Sequence, residues 1–491
     1  MKPPLLTLAA GAILLAGCTL APDYDRPVPP VAADWPDGSR PVPARVATDQ
    51  PAPAEIGWRD FFVDPDLRTM IATALANNRD LRAQALSVEA ARAQYQIARA
   101  DLFPSISATG TGANQRVPAD LSTTGTARTQ RQFSAGVGFT SYELDLFGRI
   151  QSLNDQALEQ YFAQVETRTS SQITLVAEVA NADLTLRADH ELLRLTTDTL
   201  RSQRESYDLV RRQAEQGVAT ELDLRQAETT VRTAEANQAQ YTRQVAQDRN
   251  ALELLLGAPL PPSLATDQDG AELPETTSLL ADLPAGVPSE LLERRPDIRA
   301  AEHSLKAANA NIGAARAAFF PTITLTASGG VTSATLGSLF KGAERTWSFS
   351  PAITVPIFEG GRLQAELDYA KIGKDISVAQ YEKTIQTAFR EVADALAARA
   401  TLDDEIRAQQ ALVEASRVRY RLSQMRFQNG IEGYLNTLDA ERTLFGARQT
   451  LISISLARLQ NLVTLYKALG GGWTEGTVAP TSGEGLTADD H

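Results

Sequence analysis

Two hydrophobic periodicities take turns along this chain. Phe133, Ala135, Val137 and Phe139 alternate with Ser134, Gly136, Gly138 and Thr140. Further on, Ile323, Leu325 and Ala327 alternate with Thr322, Thr324, Thr326 and Ser328, and Trp347, Phe349, Ile353 and Val355 alternate with Ser348, Ser350, Ala352 and Thr354. A period of two predicts strands with one apolar and one small polar face. A weaker example covers 105–111, loops fall around Gly125 and Gly337, and aromatics bracket the set at Phe103, Phe133, Tyr142, Phe319, Phe320, Trp347 and Phe358. Transmembrane strands have this form, with an apolar side for lipid, a polar side for a water-filled lumen and aromatic girdles between. A β-sandwich with one solvated face shares the alternation, and strand pattern alone leaves both open.

Elsewhere the period is 3.6. Alanine, glutamine and arginine dominate 80–100, strong helix material that Phe103-Pro104 ends. No proline occurs from 148 to about 216, or from 362 to about 428. Within the second stretch Val378, Tyr381, Ile385, Phe389, Val392 and Leu396 recur at helical steps, one buried stripe on one continuous helix. At ~1.5 Å per residue each such helix would reach roughly 100 Å, too long for one compact globule. Gly217 followed by Thr220 with Asp223, and Gly430 followed by Gly433, each supply a left-handed helix stop and a new N-cap, so two αα-hairpin tips are expected. A return helix carries Ile452, Leu456, Leu459 and Val463 near coiled-coil spacing.

The pattern is stated twice. The stretch from Leu81 to Pro104 is echoed from Ile298 to Pro321, 217 residues on, and Gly217, Leu222, Ala227-Glu228 and Leu256-Gly257 recur 213 residues on at Gly430, Leu435, Ala440-Glu441 and Leu469-Gly470. The chain is a duplication with a short indel, each half giving a helix, two strands, a long helix, a tip and a return helix. Expected boundaries are a signal peptide at 1–17, a lipid-anchored strap at 18–57, repeat one at 58–258, a connector at 259–288, repeat two at 289–470 and a flexible tail at 471–491. Four strands cannot close a barrel, so a chain that spans lipid must associate with copies of itself.

Charge and chemistry narrow the reading. A formal net charge of −13 argues against nucleic acid as partner. The three histidines are scattered and the single cysteine allows no internal disulfide, so neither a metal site nor a cofactor is expected. No nucleophile with a base, phosphate-binding glycine loop or paired-carboxylate site stands out, and an enzyme is not expected. Cys18 follows Lys2, an apolar run from 5 to 15 and Leu15-Ala16-Gly17, which is a secretory signal with a cut before the cysteine. Its similarity to the bacterial lipobox implies an acylated Cys18, and Thr19-Leu20, without an aspartate after the cysteine, points to the outer membrane. The proline-dense stretch from 21 to about 54 reads as an extended strap.

Several motifs together carry a family resemblance: the Leu-Ala-Gly-Cys lipobox, Pro22-x-Tyr24-x-Arg26-Pro27, Trp58-Arg59-Asp60-Phe61-Phe62, Arg294-Arg295-Pro296-Asp297-Ile298-Arg299-Ala300-Ala301-Glu302, the two Phe-Pro strand openings and Leu438-Asp439-Ala440-Glu441-Arg442. The chain resembles the TolC-type outer-membrane efflux lipoproteins of the NodT branch over nearly its whole mature length. The resemblance implies a mostly α fold with transmembrane β: a homotrimer whose twelve-stranded barrel, four strands per chain, continues as a long periplasmic α-helical barrel. It also implies a periplasmic adaptor and an inner-membrane RND transporter as partners, outer-membrane lipid around the barrel, and passive efflux of small molecules. A type I protein-secretion duct and a lipid-anchored coiled-coil scaffold without a pore are the competing readings.

Within that frame the tips, Gly217, Val218, Ala219 and Thr220 in repeat one and Gly430, Ile431, Glu432 and Gly433 in repeat two, are the expected adaptor-docking residues. Leu435 and Asp439 lie four residues apart and share a helix face. The matching family position carries an aspartate that helps close the periplasmic end, so Leu435 and Asp439 are the expected gate. Many relatives have a second aspartate three residues earlier, where this chain has Asn436.

Overall fold

The structure is a computed structural model in which residues 19–32, 53–260, 294–341 and 344–477 are described. The signal peptide, Cys18 and nearly all of the connector lie outside the described residues. The elements in order are α1 (Trp58–Phe61), α2 (Pro65–Asn77), α3 (Arg79–Ala100), β1 (Ser107–Val117), β2 (Arg128–Leu144), α4 (Arg149–Glu215), α5 (Glu221–Leu256), α6 (Pro296–Ala317), β3 (Thr322–Ser333), β4 (Glu344–Thr354), α7 (Arg362–Gln428) and α8 (Tyr434–Ala468). The proline-free stretches are single helices, α4 and α7, each of 67 residues. Among the described residues no helix is long and apolar enough to cross a membrane.

The chain divides into two compact units, the first made of Met1–Val28, Ser87–Val165 and Ala300–Glu382. Its centre is one antiparallel four-stranded sheet in the order β1-β2-β3-β4. The register sorts the side chains as the alternation predicts. Val137 faces Ala108 and Gly329, Phe139 faces Ala327, and Ala327 faces Phe349, so the apolar positions line one surface. The hydroxyls line the other: Thr111 and Ser134 are hydrogen-bonded at 2.6 Å, and Ser328 and Ser348 at 2.8 Å. Between Phe139 and Tyr142 the register shifts by one residue, with Ser141 at φ +56° and its N–H donating to Thr326 Oγ1 at 3.1 Å. This bulge returns Tyr142 and Leu144 to the apolar face, which accounts for the switch from odd to even apolar positions in β2. Among the described residues, the outer strands β1 and β4 leave their far edges unpaired.

The described part of the strap is fastened along α6. Glu302, Lys306, Asn309, Gly313 and Arg316 recur at alternating steps of four and three and so form one stripe. Arg26 donates to both oxygens of Glu302, at 3.1 and 2.9 Å, and Tyr24 Oη adds a third bond at 3.2 Å. Lys306 Nζ stands 5.3 Å from the Tyr24 ring centroid. Asn309 donates to the Pro22 carbonyl at 2.7 Å and Arg316 to the Leu20 carbonyl at 3.0 Å. A Cβ at Gly313 would meet the Ala21 nitrogen at 2.7 Å, so glycine is required where the strap crosses the helix. Burial opposes the charge on Glu302, but the Arg26 bond and the charges of Lys306 and Arg26 outweigh it and hold the carboxyl below its usual range.

The second unit comprises Pro29–Leu86, Glu166–Arg299 and Lys383–His491. Its main core joins Trp58, Phe61, Phe62, Leu67 and Ile71 to Val176, Val179 and Leu184 of α4, Leu252 and Leu256 of α5, and Leu459, Val463 and Tyr466 of α8. Phe61 stacks on Tyr466 with centroids 3.9 Å apart, and Tyr466 Oη donates to the Ile56 carbonyl at 2.6 Å. Asp183, fully buried, is paired with Arg187 at 2.8 Å, and Arg187 reaches Asp64 at 2.8 Å; burial lifts the Asp183 carboxyl to about 6 although Arg187 pulls it down. Residues 471–477, expected as the start of a flexible tail, are fastened instead. Trp58 N–H donates to the Thr474 carbonyl at 3.0 Å, Arg59 N–H to the Glu475 carbonyl at 3.2 Å, and Thr477 N–H to Asp60 Oδ2 at 2.8 Å. These bonds lie more than four hundred residues apart in sequence and have no local signature. Residues 478–491 lie outside the described residues.

Candidate functional site: the two hairpin tips

Both predicted tips are turns in the second unit. In the first, Gly217 takes φ +72° and the Val218 N–H donates back to the Gln213 carbonyl at 2.8 Å. Thr220 then caps α5 reciprocally: its hydroxyl accepts from the Asp223 N–H at 3.2 Å and its own N–H donates to Asp223 Oδ2 at 3.1 Å. In the second, Gly430 takes φ +70° and the Ile431 N–H donates to the Arg426 carbonyl at 2.9 Å. Gly433 is the N-cap of α8, with no side chain to complete the cap.

What the second tip lacks locally it gains across helices. Glu432 accepts from Arg426 Nε at 3.0 Å and from Asn436 Nδ2 at 2.6 Å. Asn436 is therefore a donor to a carboxylate, a role that an aspartate in its place could not fill. Asp439 is ion-paired with Arg419 of α7. Thr437 donates to the Ser423 carbonyl at 3.2 Å. Arg419 and Arg426 are not visible as partners in the sequence, since the 20-residue separation of Arg419 from Asp439 is set by the hairpin and by no motif.

Four apolar side chains stand exposed at the turns. Val218 and Ile431 occupy equivalent repeat positions, as do Leu222 and Leu435, and all four are between 57% and 74% exposed. Under them Tyr434 and Leu438 of α8 pack with Val210 of α4 and Ala227 of α5, and the Phe427 ring lies 5.4 Å from that of Tyr434. Leu435 and Asp439 are thus brought to one accessible helix face, as their spacing predicts.

One residue of consequence was missed from sequence. Glu441 is buried, 7% exposed, and its carboxyl is pushed up to about 7, chiefly by burial and despite a hydrogen bond with Ser202 and the charge of Arg442. The Ser202 hydroxyl also meets Tyr420 Oη at 3.2 Å, so α4, α7 and α8 share a small, partly buried polar cluster. Among the described residues no group of three or more His, Cys, Asp or Glu is placed to hold a metal ion.

Comparison with known proteins agrees with this architecture. Residues 70–258 and 287–471 each match the family described as outer membrane efflux protein, one match per repeat. The chain belongs to that family. It is 54% identical over 477 residues to a probable efflux pump outer membrane protein, TtgC, of Pseudomonas putida, covering 97% of each chain. A crystal structure of a membrane protein from Pseudomonas aeruginosa superposes with a TM-score of 0.85 at 45% identity, over 92% of this chain and 100% of that one. The open state of the MtrE outer membrane channel of Neisseria gonorrhoeae does so at 0.81 and 39% identity, over 94% and 100%. The chain is therefore a mostly helical outer-membrane efflux protein with a four-stranded sheet and two repeats.

Proposed function

We propose that this chain is the outer-membrane duct of a tripartite efflux system, conducting small molecules passively from a periplasmic adaptor and an inner-membrane RND transporter to the exterior. The observation that carries the reading is the two-faced, four-stranded sheet whose edge strands pair with no further described strand, in a chain whose other conspicuous elements are two helices of 67 residues. In lipid an open sheet edge must find a partner, and four strands are too few to close. Three copies sharing edges make a twelve-stranded barrel with the apolar face toward lipid, and their helices make a tunnel below it. Cys18, just ahead of the fastened strap, carries the lipid anchor. TtgC and its like, named as efflux pump outer membrane proteins, share nearly the full length of this chain.

In this reading Leu435 and Asp439 form rings of three at the periplasmic end. A leucine ring blocks by excluding water, and an acidic ring favours cations. Like charges about 5 Å apart at an effective dielectric near 20 repel by roughly 3 kcal/mol, and the Arg419 partner of each Asp439 offsets that cost. Asn436, neutral and engaged with Glu432, leaves one acidic ring in place of two. The exposed turn residues, Val218 and Ile431 foremost, are the surface offered to the adaptor. Cysteines at Ala219 and Glu432 should cross-link to the adaptor in intact cells. Cross-linking only from positions remote from the turns would reject tip docking.

A further inference from the structure

We propose that the outward face of the barrel at its hairpin end binds the phosphate groups of the glycolipid that makes up the outer leaflet of the outer membrane, through Arg116, Arg131 and Arg345. The proposal rests on the barrel placement above and adds a ligand to it. In the first unit the helices leave the sheet at one end, and the β1–β2 and β3–β4 turns form the other, which is the end directed outward. The face on which each residue stands follows from the register. Phe133, Ala135, Val137 and Phe139 share the apolar surface, and two residues beyond Phe133 on the same surface is Arg131. On β1, Gly112 faces Phe133, a Cβ there lying 3.2 Å from its ring, and Arg116 stands four residues further out on that side. On β4, Trp347 and Phe349 are on the apolar surface and Arg345 is two residues beyond Trp347. Each arginine therefore sits nearer the hairpin end of its own strand than the apolar position that marks the surface there, by one step of ~7 Å on β2 and β4 and two on β1, and in the barrel placement that is the side on which hydrocarbon gives way to headgroups.

No described residue neutralises these groups. All three arginines are exposed, and none has an ion pair with a described residue. Arg131 is opposite Asn114 and Arg116 is opposite Thr129, so the two guanidinium groups are diagonal neighbours on adjacent strands with no carboxylate between them. The nearest acids in sequence are elsewhere. Glu344 precedes Arg345 and by alternation points to the hydroxyl-lined surface, and Asp120 lies in the β1–β2 turn. Strand order places β4 beside β1 of the next copy when the ring closes, so Arg345 and Arg116 stand on the two strands that meet at each seam, both toward the hairpin end. Like charges gathered at one rim repel one another, and an anion seated among them relieves that repulsion. Guanidinium groups match phosphate oxygens in pairs, and a leaflet of phosphorylated glycolipid presents such groups at this depth.

The test uses full-length trimers in phosphatidylcholine vesicles containing equal amounts of bis-phosphorylated lipid A and its dephosphorylated form, with bound lipid counted by native mass spectrometry after extraction. Wild-type trimers should retain the phosphorylated form selectively, and each of Arg116→Gln, Arg131→Gln and Arg345→Gln should weaken retention by roughly fivefold. Arg128→Gln, on the hydroxyl-lined surface, should leave it unchanged. Equal retention of both lipids by the wild type, or undiminished selectivity in all three single variants, would overturn the proposal. Loss of selectivity on adding millimolar inorganic phosphate would also overturn it, by pointing to a small-anion site. Conductance of the same variants in glycolipid-free bilayers reads the duct separately. Intact conductance with lost selectivity supports the glycolipid site, and absent conductance in the wild type would indict the duct reading instead.

Discussion

The two hairpin tips occupy equivalent positions of one repeat and are held by different forces. The first is capped locally: a reciprocal Thr220–Asp223 cap, and Arg225 bridged to Glu221 and Glu228 at 2.8 Å each, all within one or two turns of α5. The second has a bare Gly433 cap and depends on Arg419, Arg426 and Ser423, contributed by the preceding helix. Glu228 and Glu441, the same repeat position, show the divergence most plainly, since Glu228 is ion-paired at the surface with Arg225 and Glu441 is buried among hydroxyls. Likewise Glu221, exposed, corresponds to Tyr434, buried. A tip whose stability comes from contacts between helices can be loosened by shifting one helix against another. The first tip packs into the same small core through Ala219 and Leu224 but has a local cap as well, so of the two turns the second leans more heavily on its neighbouring helices.

Substitutions at the paired positions should separate the tips, most strongly at the buried ring. Tyr434→Ala removes a side chain that is 3% exposed and should cost ~3–5 kcal/mol, seen as faster proteolysis within 425–440. Glu221→Ala, its repeat equivalent, should change proteolysis of the first tip little. Equal effects would mean that the packing difference carries no energetic weight.

Next in size is a pH effect confined to the second tip. With its carboxyl raised from an ordinary value of 4.5 to about 7, Glu441 holds a proton in the native chain that the unfolded chain has already lost between those values. Stability therefore falls as pH rises through that window, and the full cost, on the order of 3 kcal/mol, persists above it. Glu441→Gln should slow hydrogen exchange in 434–441 relative to wild type at pH 8 and make little difference at pH 4. An unchanged ratio between the two conditions would place the proton elsewhere.

Smaller still are the caps. Thr220→Ala should destabilise the first tip by about 1 kcal/mol, whereas Gly433→Ser, with no atom within 4 Å of a new Cβ, should stabilise the second by only a few tenths. Hydrogen exchange at the first turns of α5 and α8 reads both.

Much of this architecture was legible because it is local. Gly217, Thr220 and Asp223 announce a stop and a cap within seven residues, and the absence of proline marks α4 and α7 nearly to the residue. Even the bulge in β2 is written in the shift from Phe139 to Tyr142. What escaped was set by residues far apart. Glu441 reads as a surface glutamate because Glu228 is one, and only the helices that cover it, bearing Ser202 and Tyr420, make it otherwise. The Arg419–Asp439 pair, the Arg26–Glu302 clamp and the pairing of 474–477 with 57–60 likewise need the tertiary fold before any spacing has meaning.

That the second tip and not the first forms the constriction is tested most directly by single-channel conductance in planar bilayers. Leu435 and Leu222 are repeat equivalents, both exposed, so truncating each asks the same question of each tip. Leu435→Ala should raise the conductance of purified trimers, and Leu222→Ala should leave it at the wild-type value. An increase from Leu222→Ala alone, or equal increases from both, would contradict the assignment of the gate to the second tip.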